Sequence, residues 1–558
     1  MNRERSRARL AGPGATPRPW DVLVIGGGAT GLGAAVEAAA RGYRTALLEG
    51  SDFAKGTSSR STKLAHGGVR YLRQGDLSLV IESLRERGLL LRNAPHLVRH
   101  LRFVVPSYEW WEGPFYGAGL KVYDLLAGRS GLGPSHQLSR EETLALLPTV
   151  EPAGLRGGVV YHDAQFDDAR LAIALALTLD DLGGVAVNAV RVVGLLKAGG
   201  RRGLVTGVAA RDEESGDTLE IAARVVINAT GVFADAVRRL DEPEAPALLA
   251  PSQGVHLVLD RRFLPGDSAV LVPHTDDGRV LFAVPWLGRV IVGTTDTPVA
   301  AAALEPRPLP QEIEFLLAHA GRYLTGHPRA QDVLSCFAGL RPLIAGGGLG
   351  EGDGSAGATA ALRRDHRLEV SASGLVTITG GKWTTYRRMG EDAVDAAAAV
   401  AGLPDRPSVT ATLRLHGAPD AGGAADAADA AGGGGEGGDR REGGGGDRSA
   451  AGDWGEGGPG DPDLARLIAE RPEWGEPLHP RLPYCAAAVV RAARHEMARG
   501  VEDALARRTR ALLLDARASA EAAPRAAALL AAELGRDGDW QRRQVAAYRE
   551  LARGYWLE

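Results

Sequence analysis

The chain has 558 residues and a formal charge of −4, with 65 basic against 69 acidic side chains. That length accommodates several domains and a large core, and the near-balanced charge gives no basis for a nucleic-acid partner. The two cysteines, Cys336 and Cys485, lie far apart and form no C-x-x-C. A disulfide framework and a zinc site are therefore not expected, no other metal site is read, and a reducing compartment is favoured.

The first segment, residues 1–19, carries Arg3, Arg5, Arg7, Arg9 and Arg18 with little hydrophobicity. It lacks the apolar centre of a secretory signal. It reads as a basic flexible tail, with weak contact to anionic lipid as the functional alternative. From Asp21 to Glu49 the chain runs DVLVIGGGATGLGAAVEAAARGYRTALLE. The apolar run Val22–Ile25 predicts a buried parallel strand. Gly26, Gly28 and Gly31 fall at G-x-G-x-x-G spacing, which serves a tight turn, close approach of backbone to a pyrophosphate, and close helix-on-strand packing. The following helix offers unpaired N–H groups and a positive dipole end to phosphates. Glu49 closes the next strand, where a carboxylate accepts hydrogen bonds from a ribose. An ordinary glycine-rich turn leaves Glu49 without a reason.

Residues 108–129 combine Tyr108, Trp110, Trp111, Phe115 and Tyr116 with Lys121 and Arg129. That mixture suits an interfacial surface, and equally a core-packed helix. No apolar run reaches about 18 residues, so a spanning helix is not expected. Asp167–Gly183 reads as a helix with acidic residues in its first turn and Gly183–Gly184 past its end. Val185–Val193 and Gly203–Arg211 read as strands around a Gly199–Gly200 loop. Arg224–Asn228 is a third strand entering the small-residue turn Ala229–Gly231. Residues 417–463 are dominated by Gly, Ala, Asp and Glu and cannot bury enough surface to offset their ordering entropy. Helical spacing resumes in His495–Leu514, Pro524–Leu534 and Asp539–Tyr555. The resulting division is a basic tail at 1–19, an α/β region at 20–400, a flexible linker at 401–463 and a helical domain at 464–558.

Several motifs agree in order with one family. They are TSSRSTKLAHGG followed by VRYL (the glycine pair is Gly67–Gly68), NATG at Asn228–Gly231, GTTD at Gly293–Asp296, GLRPL at Gly339–Leu343 and GGKWTTYR ending at Arg387. LHPRLPY at Leu478–Tyr484 and the run Arg494–Ala516 add the C-terminal part. Together they resemble FAD-dependent (aerobic-type) glycerol-3-phosphate dehydrogenase over everything but the tail and the linker. The resemblance implies an α/β fold in which a doubly wound, Rossmann-like FAD-binding domain is interleaved with a β-rich substrate domain, plus a C-terminal helical domain. It implies oxidation of sn-glycerol 3-phosphate to dihydroxyacetone phosphate on non-covalent FAD. It also implies quinone as electron acceptor and a cytoplasmic enzyme held peripherally on the inner face of the cell membrane. A homo-oligomer is compatible with the sequence and not fixed by it.

Such chemistry needs a base for the hydroxyl proton and cations for a dianionic phosphate, a task that suits the planar fork of arginine. By resemblance, Arg70, Tyr71, Arg341, Arg364 and Lys382 are substrate contacts. Arg364 sits in RRDHRL, where the family has tyrosine in place of His366. His256 is the working candidate for the base, with Arg341 and Lys382 stabilising the developing alkoxide; a core histidine bonded to a carbonyl is the bland alternative. His66 is a second candidate, better placed to orient the flavin-facing loop. For FAD the expected contacts are Gly26, Gly28, Gly31 and Glu49 at the pyrophosphate and ribose, Ser58, Ser59, Thr62 and Lys63 on the phosphate side, and His66, Gly231 and Gly381 near the flavin. Rival functions on the same fold are an oxygen-using oxidase and an amine or amino-acid oxidase. An amine substrate needs one carboxylate clamp, and the set of cations argues against it. A flavin scaffold without turnover conflicts with the intact GGVRY and GGKWTTYR. A nicotinamide reductase lacks its second G-x-G-x-x-G, since Gly346–Gly354 reads as a loop insertion.

Overall fold

The computed structural model describes residues 1–11, 18–69, 76–200, 203–272, 275, 280–345, 365–419 and 461–557. The apolar run after Trp20 forms the strand Trp20–Ile25, with Val22, Leu23 and Val24 fully buried. Burial on both faces is what a central parallel strand requires. It pairs in parallel with Thr45–Leu48 on one side and with Thr218–Asn228 on the other. The parallel core extends through Val376–Gly380 and Val185–Val187. His366–Val370 closes one edge antiparallel, and Val190–Lys197 and Val205–Asp212 add an antiparallel extension on Thr218–Asn228.

Helices Ala29–Ala40, Asp168–Asp181 and Tyr386–Ala401 cover this sheet. The first and last cross at two glycines: a Cβ on Gly33 would meet the Tyr386 carbonyl oxygen at 2.7 Å, and one on Gly390 would meet the Gly33 backbone at 2.7 Å. Asp167 caps the middle helix by accepting from the N–H groups of Ala169 and Arg170, as its acidic first turn predicts.

A second, largely antiparallel sheet carries the other half of the α/β region. Its long strands are Val98–Ser107, Gly157–Phe166, Leu249–Asp260 and Val333–Ile344. One side packs against the C-terminal helices Ala486–His495 and Ala516–Leu534. Trp286, Ile291 and Phe337 share that core with Leu505, Leu512 and Leu530. The architecture is thus the interleaved α/β arrangement with a helical C-terminal domain.

Three boundaries differ from expectation. Residues 1–19 are not simply a flexible tail, because Arg3–Ala11 is a helix. Arg3 donates to Asp212 at 2.9 Å and to the Asn188 carbonyl at 3.1 Å, Arg7 donates to Asp212 at 2.7 Å, and Leu10 is buried. Paired arginines and the buried Leu10 hold it. The linker does not begin at 401: Tyr43 donates to the Pro404 carbonyl, Asn93 to the Thr410 carbonyl, and Leu415 N–H to the Asn93 carbonyl. Residues 420–460 lie outside the described residues. The helical domain starts before 464, since Asp461 caps Pro462–Glu470 through the N–H groups of Asp463 and Leu464.

Within that domain, His495–Leu514 is not one helix. Ala486–His495 ends, and after a turn Asp503–Arg508 forms a π-helical turn followed by Ala511–Leu514. The helix expected from Pro524 begins earlier, at Ala516. Proline removes the N–H that would reach the Ala520 carbonyl, and Arg549 Nε donates to that carbonyl instead, at 3.3 Å.

Many charges are buried where the domains meet. The Glu496 carboxylate accepts from both terminal nitrogens of Arg170 at 2.9 Å and lies 3.3 Å from Arg491. Burial alone would raise its pKa, but Arg170 and Arg491 outweigh burial and bring it down to about 2. A carboxyl lowered on folding contributes stability that is complete above its unfolded pKa and lost as the pH falls through the folded one. The contribution is about 3 kcal/mol at neutral pH. The thermal midpoint of the wild type is expected to fall between about pH 4.5 and about pH 2 by more than that of Glu496→Gln. A wild-type-to-variant gap that is independent of pH across this window would contradict the assignment.

Candidate active site

The glycine turn after Trp20–Ile25 is fixed by steric closeness. Gly26 has φ +110°, and a Cβ there would meet the Ala229 carbonyl oxygen at 2.6 Å. A Cβ on Gly31 would lie 1.9 Å from the Gly26 carbonyl oxygen. Only glycine permits that contact. The helix Ala29–Ala40 therefore begins directly against the strand end, with Gly28 at its N-cap.

These residues open on a cavity of about 470 Å³. Gly26, Gly28, Ala29 and Thr30 form one wall, Glu49 to Ser51 and Ala54 to Ser58 a second, and Thr230 to Phe233 a third. Glu49 closes its strand as expected. Its carboxylate accepts from the N–H of Gly27 and of Ser51, each at 2.7 Å. Burial raises its pKa against those two donors. Gly231, with φ +58°, lines the same cavity, and its carbonyl accepts from Thr379 at 3.2 Å. The cavity joins a helix N-terminus, a turn without side chains and a carboxylate one strand away, so it fits the phosphates and adenosine ribose of FAD.

The serine-rich loop after the cavity divides its roles. Ser58 lines the cavity; its Oγ accepts from Ala29 N–H at 2.9 Å and its carbonyl from Trp383 Nε1 at 2.8 Å. The Ser59 carbonyl accepts from Lys63 Nζ at 2.8 Å and from Arg510 at 2.9 Å. Lys63, expected on the phosphate side, does not line this cavity. Its side chain is 0% exposed and its ammonium lies 2.6 Å from Asp168. Burial pushes that ammonium down to about 7 despite the carboxylate. Lys63 therefore acts as an internal ion, and its role as a phosphate ligand is withdrawn.

Thr62 Oγ1 lies 2.9 Å from His256 Nε2. His256 sits in Leu249–Asp260, opposite Phe337 of Val333–Ile344, and the two rings stack with centroids 4.8 Å apart. Burial, then the charges of Lys63 and Arg341, hold its pKa well below the usual histidine value. The ring is neutral at pH 7, and its Nδ1 is buried without a hydrogen-bond partner among the described residues.

Arg341 stands on the same sheet face, because Ser252 pairs with Arg341 where His256 pairs with Phe337. Between them lies the pair Gly254–Gly339. A Cβ on Gly254 would meet the Arg341 guanidinium at 2.3 Å, and one on Gly339 would meet the Arg60 carbonyl at 2.7 Å. The glycine pair thus brings the serine-rich loop down onto the sheet, and Thr57 donates to the Leu340 carbonyl at 2.6 Å. The guanidinium donates to the Thr295 carbonyl at 2.9 Å, Thr294 Oγ1 at 3.1 Å and Asp296 at 3.3 Å. GTTD is therefore the holder of Arg341.

Lys382 follows Gly380 and Gly381, at φ +82° and +67°, and its ammonium is shielded from solvent. The segment after it reaches both flavin-side loops: Trp383 donates to the Ser58 carbonyl and Thr384 to that of His66, at 3.4 Å. The structure thus gathers His256, Thr62 and Arg341 on one sheet face, with His66 and Lys382 on the adjoining loops. Arg70, Tyr71, Arg364 and the Gly346–Gly354 insertion lie outside the described residues. Sequence reading missed Arg191, which lines the cavity and donates to the Gly50 carbonyl at 3.1 Å. It belongs to no motif, and its only signal is its place at the start of a strand.

Comparison with known proteins shows the family and the fold. The family described as "FAD dependent oxidoreductase" matches residues 21–387, and the "C-terminal domain of alpha-glycerophosphate oxidase" matches 462–541. The chain is 39% identical to a mitochondrial glycerol-3-phosphate dehydrogenase of Arabidopsis thaliana, over 96% of this chain and 86% of that protein. It is 43% identical to the human mitochondrial glycerol-3-phosphate dehydrogenase, over 72% of this chain and 56% of the human protein. Among solved structures, a glycerol-3-phosphate dehydrogenase from Bacillus halodurans complexed with FAD superposes with a TM-score of 0.73 at 28% identity, covering 99% of this chain and 97% of that one.

Gly31→Val would force a side chain into the Gly26 carbonyl. The purified variant is expected to retain less than about a tenth of the wild-type flavin absorbance per mole of protein, because the phosphate turn cannot form. Full flavin content would show that this turn does not hold the cofactor.

Proposed function

Because the chain belongs to the family of FAD-dependent glycerol-3-phosphate dehydrogenases, we propose that it oxidises sn-glycerol 3-phosphate to dihydroxyacetone phosphate. The observation that carries this reading is the neutral His256 beside Arg341, on the sheet face that the flavin-side loop approaches. Bound FAD supplies the acceptor for the hydride leaving C2 of the substrate.

The protein supplies the rest. His256 takes the C2 hydroxyl proton. The contact of Nε2 with Thr62 Oγ1, at 2.9 Å, holds the ring in place. Burial and the neighbouring cations keep the imidazole unprotonated at neutral pH, as a base requires. Arg341, fixed by Asp296, Thr294 and the Thr295 carbonyl, presents a positive group to the developing alkoxide or the phosphate. Lys382, Arg70, Tyr71 and Arg364 complete the proposed substrate contacts on family resemblance. Gly26, Gly28, Gly31 and Glu49 hold the dinucleotide end of FAD, and Ser58, Ser59, Thr62, His66, Gly231 and Gly381 the approach to the flavin.

Electrons then pass to a membrane quinone. In support, the helix Glu112–Ala127 and the two residues before it carry exposed apolar side chains: Trp110 is 75% exposed, Leu125 80%, and Trp111 and Phe115 are also exposed. Aromatic side chains of this kind seat at the headgroup level of a bilayer. No helix among the described residues is long and apolar enough to cross a membrane, so the proposed contact is peripheral. The match to an oxidase C-terminal domain keeps molecular oxygen as the second reading of the acceptor.

Anaerobic mixing with glycerol 3-phosphate is expected to bleach the flavin rapidly, and in His256→Asn at least about a hundredfold more slowly with flavin content retained. No bleaching in the wild type would overturn the substrate reading. A loss under about tenfold in the variant would remove His256 as base. Readmitting air separates the acceptors: fast reoxidation identifies an oxidase. In flotation with anionic vesicles the wild type is expected to rise with the lipid, and a Trp111→Ser, Phe115→Ser, Leu125→Ser variant to stay behind. A wild type that stays wholly unbound would remove the membrane contact.

A further inference from the structure

The loop that walls the dinucleotide cavity, Gly50–Ser58, is held from outside the FAD-binding domain. Asp52 is almost fully buried at its base. Its carboxylate accepts from both terminal nitrogens of Arg508, at 2.6 and 2.8 Å, from Arg507 Nε, and from Asn188 Nδ2 at 3.1 Å. Midway along the loop, Lys55 pairs with Glu502 at 2.8 Å, and Glu502 in turn accepts from Arg507 at 2.8 Å. Just past the loop, Arg510 donates to the Ser59 carbonyl at 2.9 Å and to Asp168 at 2.8 Å. Every one of these arginines belongs to the C-terminal domain.

The segment that presents them is irregular. Asp503–Arg508 is π-helical, and Arg510 has φ +62° without being glycine. Both features are costly and cluster at functional sites. Here they turn Arg507, Arg508 and Arg510 toward one loop within four residues.

The grip reaches the phosphate turn at two points. Phe53 and Ala54 follow Asp52. Ala54 N–H donates to the Gly27 carbonyl at 2.9 Å, and Phe53 packs where a Gly27 Cβ would stand. Ser58, next to the anchored Ser59, accepts from Ala29 N–H at the start of the phosphate-facing helix. We propose that the C-terminal helical domain is the clamp that shapes the FAD site, with Arg507, Arg508 and Arg510 as positioning residues acting through Asp52 and the Ser59 carbonyl. It follows that a domain far from the glycine turn in sequence sets the affinity for the cofactor. The proposal rests on flavin binding and not on the choice of substrate.

The test titrates FAD into full-length apoprotein, following quenching of flavin fluorescence for both Kd and the number of sites. Arg508→Lys keeps the charge but loses the two-pronged contact with Asp52. Its Kd is expected to rise at least about tenfold with the site number unchanged, as for loss of a charge-assisted hydrogen bond at a preorganised site. A merely structural role would lower the number of competent sites and leave Kd within about threefold of the wild type, and that result overturns the proposal. Should Arg508→Lys fail to fold, the partly exposed pair decides alone. Glu502→Gln, which frees Lys55, is expected to raise Kd about threefold or more, and an unchanged Kd in that variant overturns the clamp.

Discussion

The contact between Gly31 and the Gly26 carbonyl is the constraint on which the remaining structure depends. It sets the helix Ala29–Ala40 directly on the end of a buried strand, at a separation that any Cβ would prevent. The helix N-terminus then faces a turn that has no side chains of its own. Everything that builds the cavity is placed relative to this junction. Ala229 and Thr230 close on Gly26 from the neighbouring strand, Glu49 reaches Gly27 from the other side, and Ser58 caps Ala29 across the gap. A negative group at a helix N-terminus gains typically about 0.3–1 kcal/mol, and here several N–H groups converge on the point where a phosphate would sit.

A second level of organisation is ionic. Asp52, Lys63, Asp168, Glu496, Arg508 and Arg510 are all nearly inaccessible to water. Burying charge is expensive, and a buried pair often stabilises no more than an apolar pair of the same volume. Removing one member, by contrast, leaves an uncompensated ion. Relative to apolar packing such a network adds little, yet each member is needed to keep the others paired, so it holds one geometry. That distinction matters at a cofactor site, where the Gly50–Ser58 wall must keep a fixed distance from the glycine turn.

Legibility from sequence follows the distance over which each feature is built. The dinucleotide cradle was readable because its physics is local: Gly26, Gly28, Gly31 and Glu49 lie within one strand–helix–strand unit. The helix capped by Asp167 was readable for the same reason. The sheet face that unites His256 with Arg341 depends on the register of two strands some eighty residues apart, and only family resemblance pointed to it. Lys63 misled because a lysine in a serine-threonine run is read as a phosphate ligand, whereas its partner Asp168 is contributed by a distant helix. Arg3 and Arg7 looked like a solvated basic tail, since Asp212 is invisible from position 3. Arg507 and Arg508 fall inside His495–Leu514, which reads as one helix. The π-helical turn that redirects them has no sequence signature, since helical spacing runs through it.

The electrostatics of the candidate site contain an internal tension. Two cations around the candidate site lower the basicity of the imidazole next to them: the internal Lys63 and Arg341 both push His256 toward its neutral form, in the same direction as burial. In the ligand-free protein this is favourable, because it keeps the ring unprotonated at physiological pH. With His256 as the proposed base, the same field would oppose the imidazolium that proton acceptance creates. A dianion bound near Arg341, as proposed for the substrate, would cancel part of that field. On this reading, the charge that anchors the substrate also restores basicity to the group that attacks its hydroxyl proton. The neighbouring GTTD segment has a corresponding purpose: Asp296 already neutralises part of Arg341 and fixes its direction, so the residual positive charge is aimed as well as moderated.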